Sequence, residues 1–294
     1  MHRMRRVFFL LSFVLFIPLQ GFAWWDVGHM LTVEVARSQL DPAVVAKIEK
    51  IVGQFEKDFP RCSTFTTASC FPDDITSMGL SGFKVWHGVL SPYDPDGILS
   101  EREKEVINTL VSTNNLHSAI TQAQKTLKNP HASGWEQAFM LCFLLHCVGD
   151  IHQPLHCIHL YSDAFPSGDM AGHRYRLKGS GFKNIHVLWD SILGLGSARL
   201  DRPLNPEDEE WICSFAKEIL DSYPPESFPQ LEDLDTTHWS GESYHIAVAY
   251  VYDGIEPDST PSEEYTLRGQ KIALGQIALA GYRLAILLNE LYTE

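Results

Sequence analysis

His146 and Asp150 stand four residues apart in the run His146-Cys147-Val148-Gly149-Asp150-Ile151-His152-Gln153-Pro154-Leu155-His156, and His186 and Asp190 repeat that spacing in Asn184-Ile185-His186-Val187-Leu188-Trp189-Asp190. On a helix, residues four apart stack on one face with Cβ atoms about 5 to 6 Å apart, which suits them to gripping one ion. Pro154 ends the first helix, so His156 can turn back toward the same cavity. Imidazole with carboxylate suits zinc better than magnesium, which prefers an all-oxygen shell. Taken alone, either pair reads first as a surface ion pair or a satisfied core histidine. Two pairs plus His156 in an otherwise apolar setting shift the reading to a metal site.

The elements that must position these residues are mostly helical. Asp41-Pro42 opens an amphipathic stretch through Val44, Val45, Ile48, Ile51 and Val52, as an N-cap and first-turn proline would. Ser100 with Glu103 makes a capping box ahead of Val106, Ile107 and Leu110. Further helices are predicted over 135–151, 206–220, 242–250 and 261–292. The last is apolar around 272–288, yet Lys271, Gln276, Arg283 and Asn289 interrupt it, so it reads as a core helix rather than a membrane span. A hairpin is expected only at 174–183, about the turn Lys178-Gly179-Ser180-Gly181. The fold class is therefore all-α, one mainly helical domain over 24–294.

The chain has 294 residues, 45% hydrophobic and 20% charged, which is apolar enough to fold. It shows no fixed-period repeat and no glycine-rich phosphate fingerprint, which argues against solenoids and the usual nucleotide folds. A basic segment from Met1 to Arg6, an apolar run from Val7 to Leu19 and Gly21-Phe22-Ala23 read as a secretory signal over 1–23, giving a secreted or periplasmic protein. Losing Arg3, Arg5 and Arg6 takes the net charge from −14 to −17, with 20 basic against 37 acidic residues. Such a field repels bulk nucleic acid and anionic membrane, so a phosphate-bearing substrate needs a local positive source, which bound metal ions would be. Six cysteines (Cys62, Cys70, Cys142, Cys147, Cys157, Cys213) in an exported chain suggest as many as three disulfides, with Cys62 and Cys70 the one local pair.

Upstream lie Trp24-Trp25-Asp26-Val27-Gly28-His29, Phe71-Pro72-Asp73-Asp74-Ile75 and Trp86-His87. With these the chain resembles the zinc-dependent single-strand nucleases of fungi and plants (nuclease S-one and nuclease P-one) and the related 3′-nucleotidase/nucleases. The resemblance runs on through Trp239 to Ser243 and Leu279-Ala280-Gly281-Tyr282-Arg283-Leu284-Ala285. It implies a trinuclear zinc cleft in a fold similar to zinc phospholipase C. Asp73, His87, His146 and Asp150 would hold one zinc, Trp24, His29 and Asp150 a close neighbour, and His156, His186 and Asp190 a third. The amino group and carbonyl of Trp24 would bind only after cleavage behind Ala23. Three Zn²⁺ against Asp73, Asp150 and Asp190 would leave +3, the positive source the composition lacks elsewhere. The implied activity is zinc-hydroxide attack on phosphorus in single-stranded RNA, DNA and 3′-nucleotides, giving 5′-phosphorylated products, with Asp73 orienting the attacking water. Partners would be these substrates alone, with no stable membrane association, and the protein a monomer.

The remaining candidates read more plainly. His152 is expected to make a helix-end or supporting hydrogen bond, and Asp74 to yield the ligand role to Asp73. His173 stands where the family shows asparagine, either to contact substrate or to cap the hairpin. Thr76 stands where the family carries a cation, and Gly88 where it often carries a base-stacking phenylalanine. A ring restored at position 88 is thus expected to lower KM, and slight base preference is expected without one. The rival activity is zinc phospholipase C, and a second rival is metal sequestration, which open coordination positions disfavour.

Overall fold

The computed structural model describes residues 24–293, so the leader expected at 1–23 lies outside the described residues. Helix α1 (Asp26–Arg37) begins directly after Trp24 and Trp25 and is buried from Val27 to Ala36. α2 (Pro42–Val52) starts behind Asp41 with proline in its first turn, and the short α3 (Phe65–Ala68) and α4 (Phe71–Ser77) follow. α5 (Glu101–Thr113), α6 (Leu116–Leu127) and α7 (Gly134–Asp150) each open on a reciprocal capping box, formed by Ser100 with Glu103, Asn115 with Ser118 and Ser133 with Glu136. α8 (Ile185–Asp190), α9 (Pro206–Ser222), α10 (Thr236–Ile246) and α11 (Glu263–Tyr292) complete the helices among the described residues. The fold is all-α, a mainly helical domain.

Hydrophobic burial divides the core in two, and the candidate ligands fall on the seam. One apolar cluster gathers α2, α6 and most of α7 around Phe55, Phe143 and Leu144; the other gathers α1, α8, α9 and α11 around Trp24, Trp189 and Ile277. α7 is buried without interruption from Met140 to Asp150, the pattern of a helix enclosed on every side. His146 and Asp150 are the ionisable exceptions in that stretch besides its thiols. α11 is long and apolar enough to cross a membrane by length and composition, but Ile277 through Ala285 are packed inside the protein.

Several expectations meet a different outcome. Helices α1, α3, α4 and α6 were not anticipated, and 242–250 resolves into the end of α10 followed by a π-helical turn, Ala247–Val251. The expected hairpin shrinks to one antiparallel bridge, Arg176 with Asn184. Two three-residue strands, β1 (Ser91–Tyr93) and β2 (Ile158–Leu160), pair in parallel with Ser91 opposite Ile158. They ride just beyond His87 and His156, so their pairing, with the Val89 N–H donating to the His156 carbonyl at 2.8 Å, joins two candidate ligand segments. All six cysteines are free thiols, which corrects the expected disulfides and the Cys62–Cys70 pair. Cys62 instead donates to Asp74 Oδ2 at 3.2 Å, while Cys70 lies against Ser69 Oγ and the Asp26 carbonyl.

Candidate metal centre

The nine residues singled out in the sequence come from four helices and three connecting segments, and the fold brings them to one place. His29 lies in the first turn of α1, Asp73 in α4, His146 and Asp150 at the end of α7, and His186 and Asp190 across α8. His87 ends a 3₁₀ stretch, and His156 sits in the 3₁₀ turn Pro154–Cys157, which carries the chain back toward α7. Trp24 is fully buried and its indole N–H donates to the Gly149 carbonyl at 3.0 Å, one residue before Asp150.

Asp150 is the hub. Its Oδ2 lies 3.1 Å from His87 Nδ1 and 3.1 Å from His146 Nε2, and those two ring nitrogens are 2.9 Å apart. Its Oδ1 faces His29 Nε2 at 3.5 Å and His156 Nδ1 at 3.3 Å. Asp73 Oδ1 lies 3.6 Å from His87 Nδ1 and 3.9 Å from His146 Nε2. A little further, Asp190 presents Oδ1 to His156 Nε2 at 3.5 Å and Oδ2 to His186 Nε2 at 3.1 Å. Three groups thus converge within 4.8 Å: His29–Asp73–His146, His87–His146–Asp150 and His156–His186–Asp190. His29 falls beside Asp73 and His146 as well as Asp150, a tighter interleaving than the division by resemblance.

Spacing and orphaned atoms both match a metal. Donors on a tetrahedral zinc with arms of about 2.0 Å sit about 3.3 Å from one another, close to the separations found here. Buried polar atoms in folded proteins nearly always have hydrogen-bond partners. Among the described residues twelve do not, and eight of the twelve belong to this cluster: both ring nitrogens of His29 and of His156, His87 Nε2, His186 Nε2, Asp150 Oδ1 and Asp190 Oδ2. The residues present therefore fit a multinuclear cation site.

Electrostatics points the same way. Burial opposes ionisation of Asp150, but His146 and His156 outweigh it and hold the carboxyl well below the usual carboxylate range. Asp190 is likewise held low by His186 and His156 against burial. Burial also resists charge on His156, yet Asp150 and Asp190 push it up to about 10. His29, buried and beside His146, is held well below the usual histidine range despite Asp150. Burial lifts the Asp73 carboxyl well above its usual range, opposed by His87 and reinforced by Asp150. Negative charge is fixed at the centre and draws any cation it can reach. Asp73, 23% exposed while the other eight are buried, forms the open edge of the cluster.

Backbone carbonyls aim the rings. His146 Nδ1–H donates to the Ser69 carbonyl at 2.7 Å and His186 Nδ1–H to the Ala171 carbonyl at 2.6 Å, so each Nε2 faces the cluster. Gln153 donates to Asp190 Oδ1 at 2.6 Å and accepts from the Leu155 N–H at 2.5 Å. Its place in the long histidine motif was the available signal; nothing in residue type marked Ser69 or Ala171. Asp74 turns away from the cluster to Arg202, 2.8 Å from its Nη2, which leaves Asp73 facing the histidines. His152 donates from Nδ1 to the Val148 carbonyl at 2.8 Å and accepts from Arg283 at 2.9 Å, the supporting role expected. His173 stacks on His186 with ring centroids 3.7 Å apart, and burial followed by His186 lowers it to about 3.

Gly88 requires a correction. Its Cβ, were there one, would lie 2.9 Å from the His156 carbonyl oxygen, a backbone atom that cannot swing aside. A phenylalanine there would displace a candidate ligand instead of stacking on a base.

A family model described as S1/P1 Nuclease matches residues 24–293. The chain is 23% identical over 284 residues to Endonuclease 1 of Arabidopsis thaliana, across 92% of this chain and 88% of the relative. To Endonuclease 3 of the same plant it is 22% identical over 280 residues, across 92% and 89%. To Endonuclease 4 it is 27% identical over 158 residues, across 52% and 50%.

Proposed function

The chain belongs to the S1/P1 nuclease family, and from that premise we propose that it is an exported, zinc-dependent phosphoesterase that cleaves single-stranded RNA, DNA and 3′-nucleotides to leave 5′-phosphates. The observation that carries this reading is the set of eight orphaned polar atoms on the residues gathered around Asp150 and Asp190. Asp73, His87, His146 and Asp150 would hold one ion, Trp24, His29 and Asp150 a second, and His156, His186 and Asp190 a third. When bound, zinc supplies Lewis-acid chemistry: it neutralises phosphate charge and makes water acidic enough to act as a nucleophile near neutral pH.

The protein's own groups do the rest. Asp150 holds its charge at the centre and so fixes the spacing of the histidines on both sides of it. Ser69 and Ala171 lock two rings so that no reorientation is needed when substrate arrives. Asp73, at the solvent edge of the cluster, can orient an attacking water. Removal of 1–23 would free the amine of Trp24, whose indole the Gly149 carbonyl already anchors.

The deciding experiment offers the purified zinc-loaded protein, beginning at Trp24, single-stranded DNA, RNA, 3′-AMP and phosphatidylcholine side by side, with and without chelator. Hydrolysis of the nucleic acids and of 3′-AMP, lost on chelation and restored by zinc, is the expected result. A protein extended by several residues ahead of Trp24 should be nearly inactive. Turnover of phosphatidylcholine alone, or nuclease activity indifferent to chelation, overturns the reading.

A further inference from the structure

The loop between β2 and α8 contains three consecutive residues of positive φ: Met170 at 54°, Ala171 at 55° and Gly172 at 84°. Residues with a Cβ seldom adopt that conformation, and two of these three have one. Gly172 cannot acquire one, because a Cβ there would lie 2.7 Å from Ile185 Cγ2. The strained arc delivers the Ala171 carbonyl to His186 Nδ1 at 2.6 Å, leaving His186 Nε2 toward Asp190 at 3.1 Å. The backbone of this loop therefore sets the orientation of a candidate ligand.

Something must hold the arc, and it is pinned at Asp169, which is fully buried. Asp169 Oδ1 accepts the Leu160 N–H at 3.0 Å, and its own N–H donates to the Leu160 carbonyl at 2.9 Å, fastening the loop to the end of β2. Its carbonyl accepts the Arg174 N–H at 2.9 Å, closing the arc from the other side. Its second carboxylate oxygen accepts the Tyr252 hydroxyl at 2.7 Å. Tyr252 directly follows the π-helical turn Ala247–Val251, where the wider winding changes the direction in which the next side chain leaves the helix. The π turn buries Ala247 and Val251 in the core and, directly after them, brings a phenol to the buried carboxylate that governs the loop.

We propose that Asp169 and Tyr252 are positioning residues for His186, holding the Met170–Gly172 arc in the one conformation that points His186 Nε2 into the His156–His186–Asp190 group. This rests on the reading that those three residues hold an ion. Neither residue touches the ion or the substrate. Their action passes through one hydrogen bond, from His186 to the Ala171 carbonyl.

The test follows zinc release into a chromogenic chelator from the wild-type protein, Tyr252→Phe and Asp169→Asn, with unfolding of the metal-free proteins measured in parallel. Tyr252→Phe leaves one oxygen of the buried Asp169 carboxylate without its partner, so metal-free stability should fall modestly, and release is compared under conditions where every metal-free protein stays folded. One zinc per chain should leave roughly 10- to 100-fold faster, while the other two leave at the wild-type rate. In a His186→Ala background the added Tyr252→Phe change should have no further effect on release, because the ring it orients is gone. Unchanged release in Tyr252→Phe, uniform acceleration of all three ions, or an effect that persists without His186 would overturn the proposal. A wild-type protein with only two releasable zincs would instead remove the reading of the third group itself.

Discussion

Asp150 is the residue whose loss should be felt most widely, because each of its oxygens faces two histidines. Asp150→Asn keeps the shape but removes the charge that two ions would share, whereas His186→Ala touches only the outer group. Elemental analysis should therefore show a larger fall in zinc per chain for Asp150→Asn than for His186→Ala, and equal losses would count against a shared carboxylate. Gly88 gives a second residue-level prediction. Even Gly88→Ala places a Cβ against the His156 carbonyl, so it should destabilise the fold by about 1 to 3 kcal/mol as overpacking does, and Gly88→Phe should abolish activity rather than lower KM. Full activity with a phenylalanine at 88 would mean the strand pairing beside His156 is softer than its 2.8 Å hydrogen bond implies. His146, Asp150, His156, His186 and Asp190 were legible because histidine and aspartate announce their chemistry by type and spacing, whereas Trp24, His29, Asp73 and His87 were legible only through the resemblance. The carbonyls of Ser69 and Ala171 were not, since any residue supplies a carbonyl and only the fold aims it.

Between elements, Arg202 holds α1 to α4. Its guanidinium, buried, reaches Asp26 Oδ2 at 3.0 Å in the first turn of α1 and both oxygens of Asp74 in α4, at 2.8 and 3.0 Å. Those turns carry His29 and Asp73. Removing one partner from a buried ion pair leaves uncompensated charge, so Arg202→Met should cost about 3 kcal/mol in chemical denaturation. The loss should shrink when Asp74→Asn is added, and additive losses would show that the two groups do not act as a pair. The elements themselves were unevenly legible. Helices α2, α5 and α9 announced their starts through Asp41-Pro42, the Ser100–Glu103 box and Pro206. α1 has no side-chain cap, and α6 is capped by Asn115 with Ser118 in place of the usual acidic or amide partner, so neither start stood out. Amphipathic spacing in α5 suggested a face to bury, yet it buries no residue, because periodicity tells which side is apolar and not whether anything lies against it. Strands of three residues joined in parallel across 67 positions of chain fall below any local pattern.

Across the whole molecule, α7, α10 and α11 are joined at Arg283, and that junction makes stability depend on pH. Arg283 is fully buried, donates to Glu242 at 2.8 and 2.9 Å and to the Gln230 carbonyl at 2.9 Å, and spends a further N–H on His152 Nε2 at 2.9 Å. With Nδ1 donating to the Val148 carbonyl and Nε2 accepting from Arg283, the His152 ring has no room for a second proton. Burial, then the neighbouring guanidinium, accordingly lowers it from 6.5 to about 3. Above pH 6.5 the ring is neutral whether folded or unfolded and contributes no pH dependence. As pH falls from 6.5 toward 3 the unfolded chain takes up a proton that the folded protein refuses, so stability is lost across that window. By pH 5 the loss amounts to about 2 kcal/mol at 1.36 kcal/mol per unit. Acid also relieves the self-repulsion of a strongly acidic chain, an effect of opposite sign, so the wild-type trend alone decides nothing. His152→Gln separates the two: an amide can donate to Val148 and accept from Arg283 without titrating, and every other charge is kept. Denaturation of both metal-free proteins at pH 7 and pH 5 should show the wild type losing about 2 kcal/mol more than the variant. Equal losses would mean that His152 takes its proton in the folded state, and that the Arg283 junction is open to water.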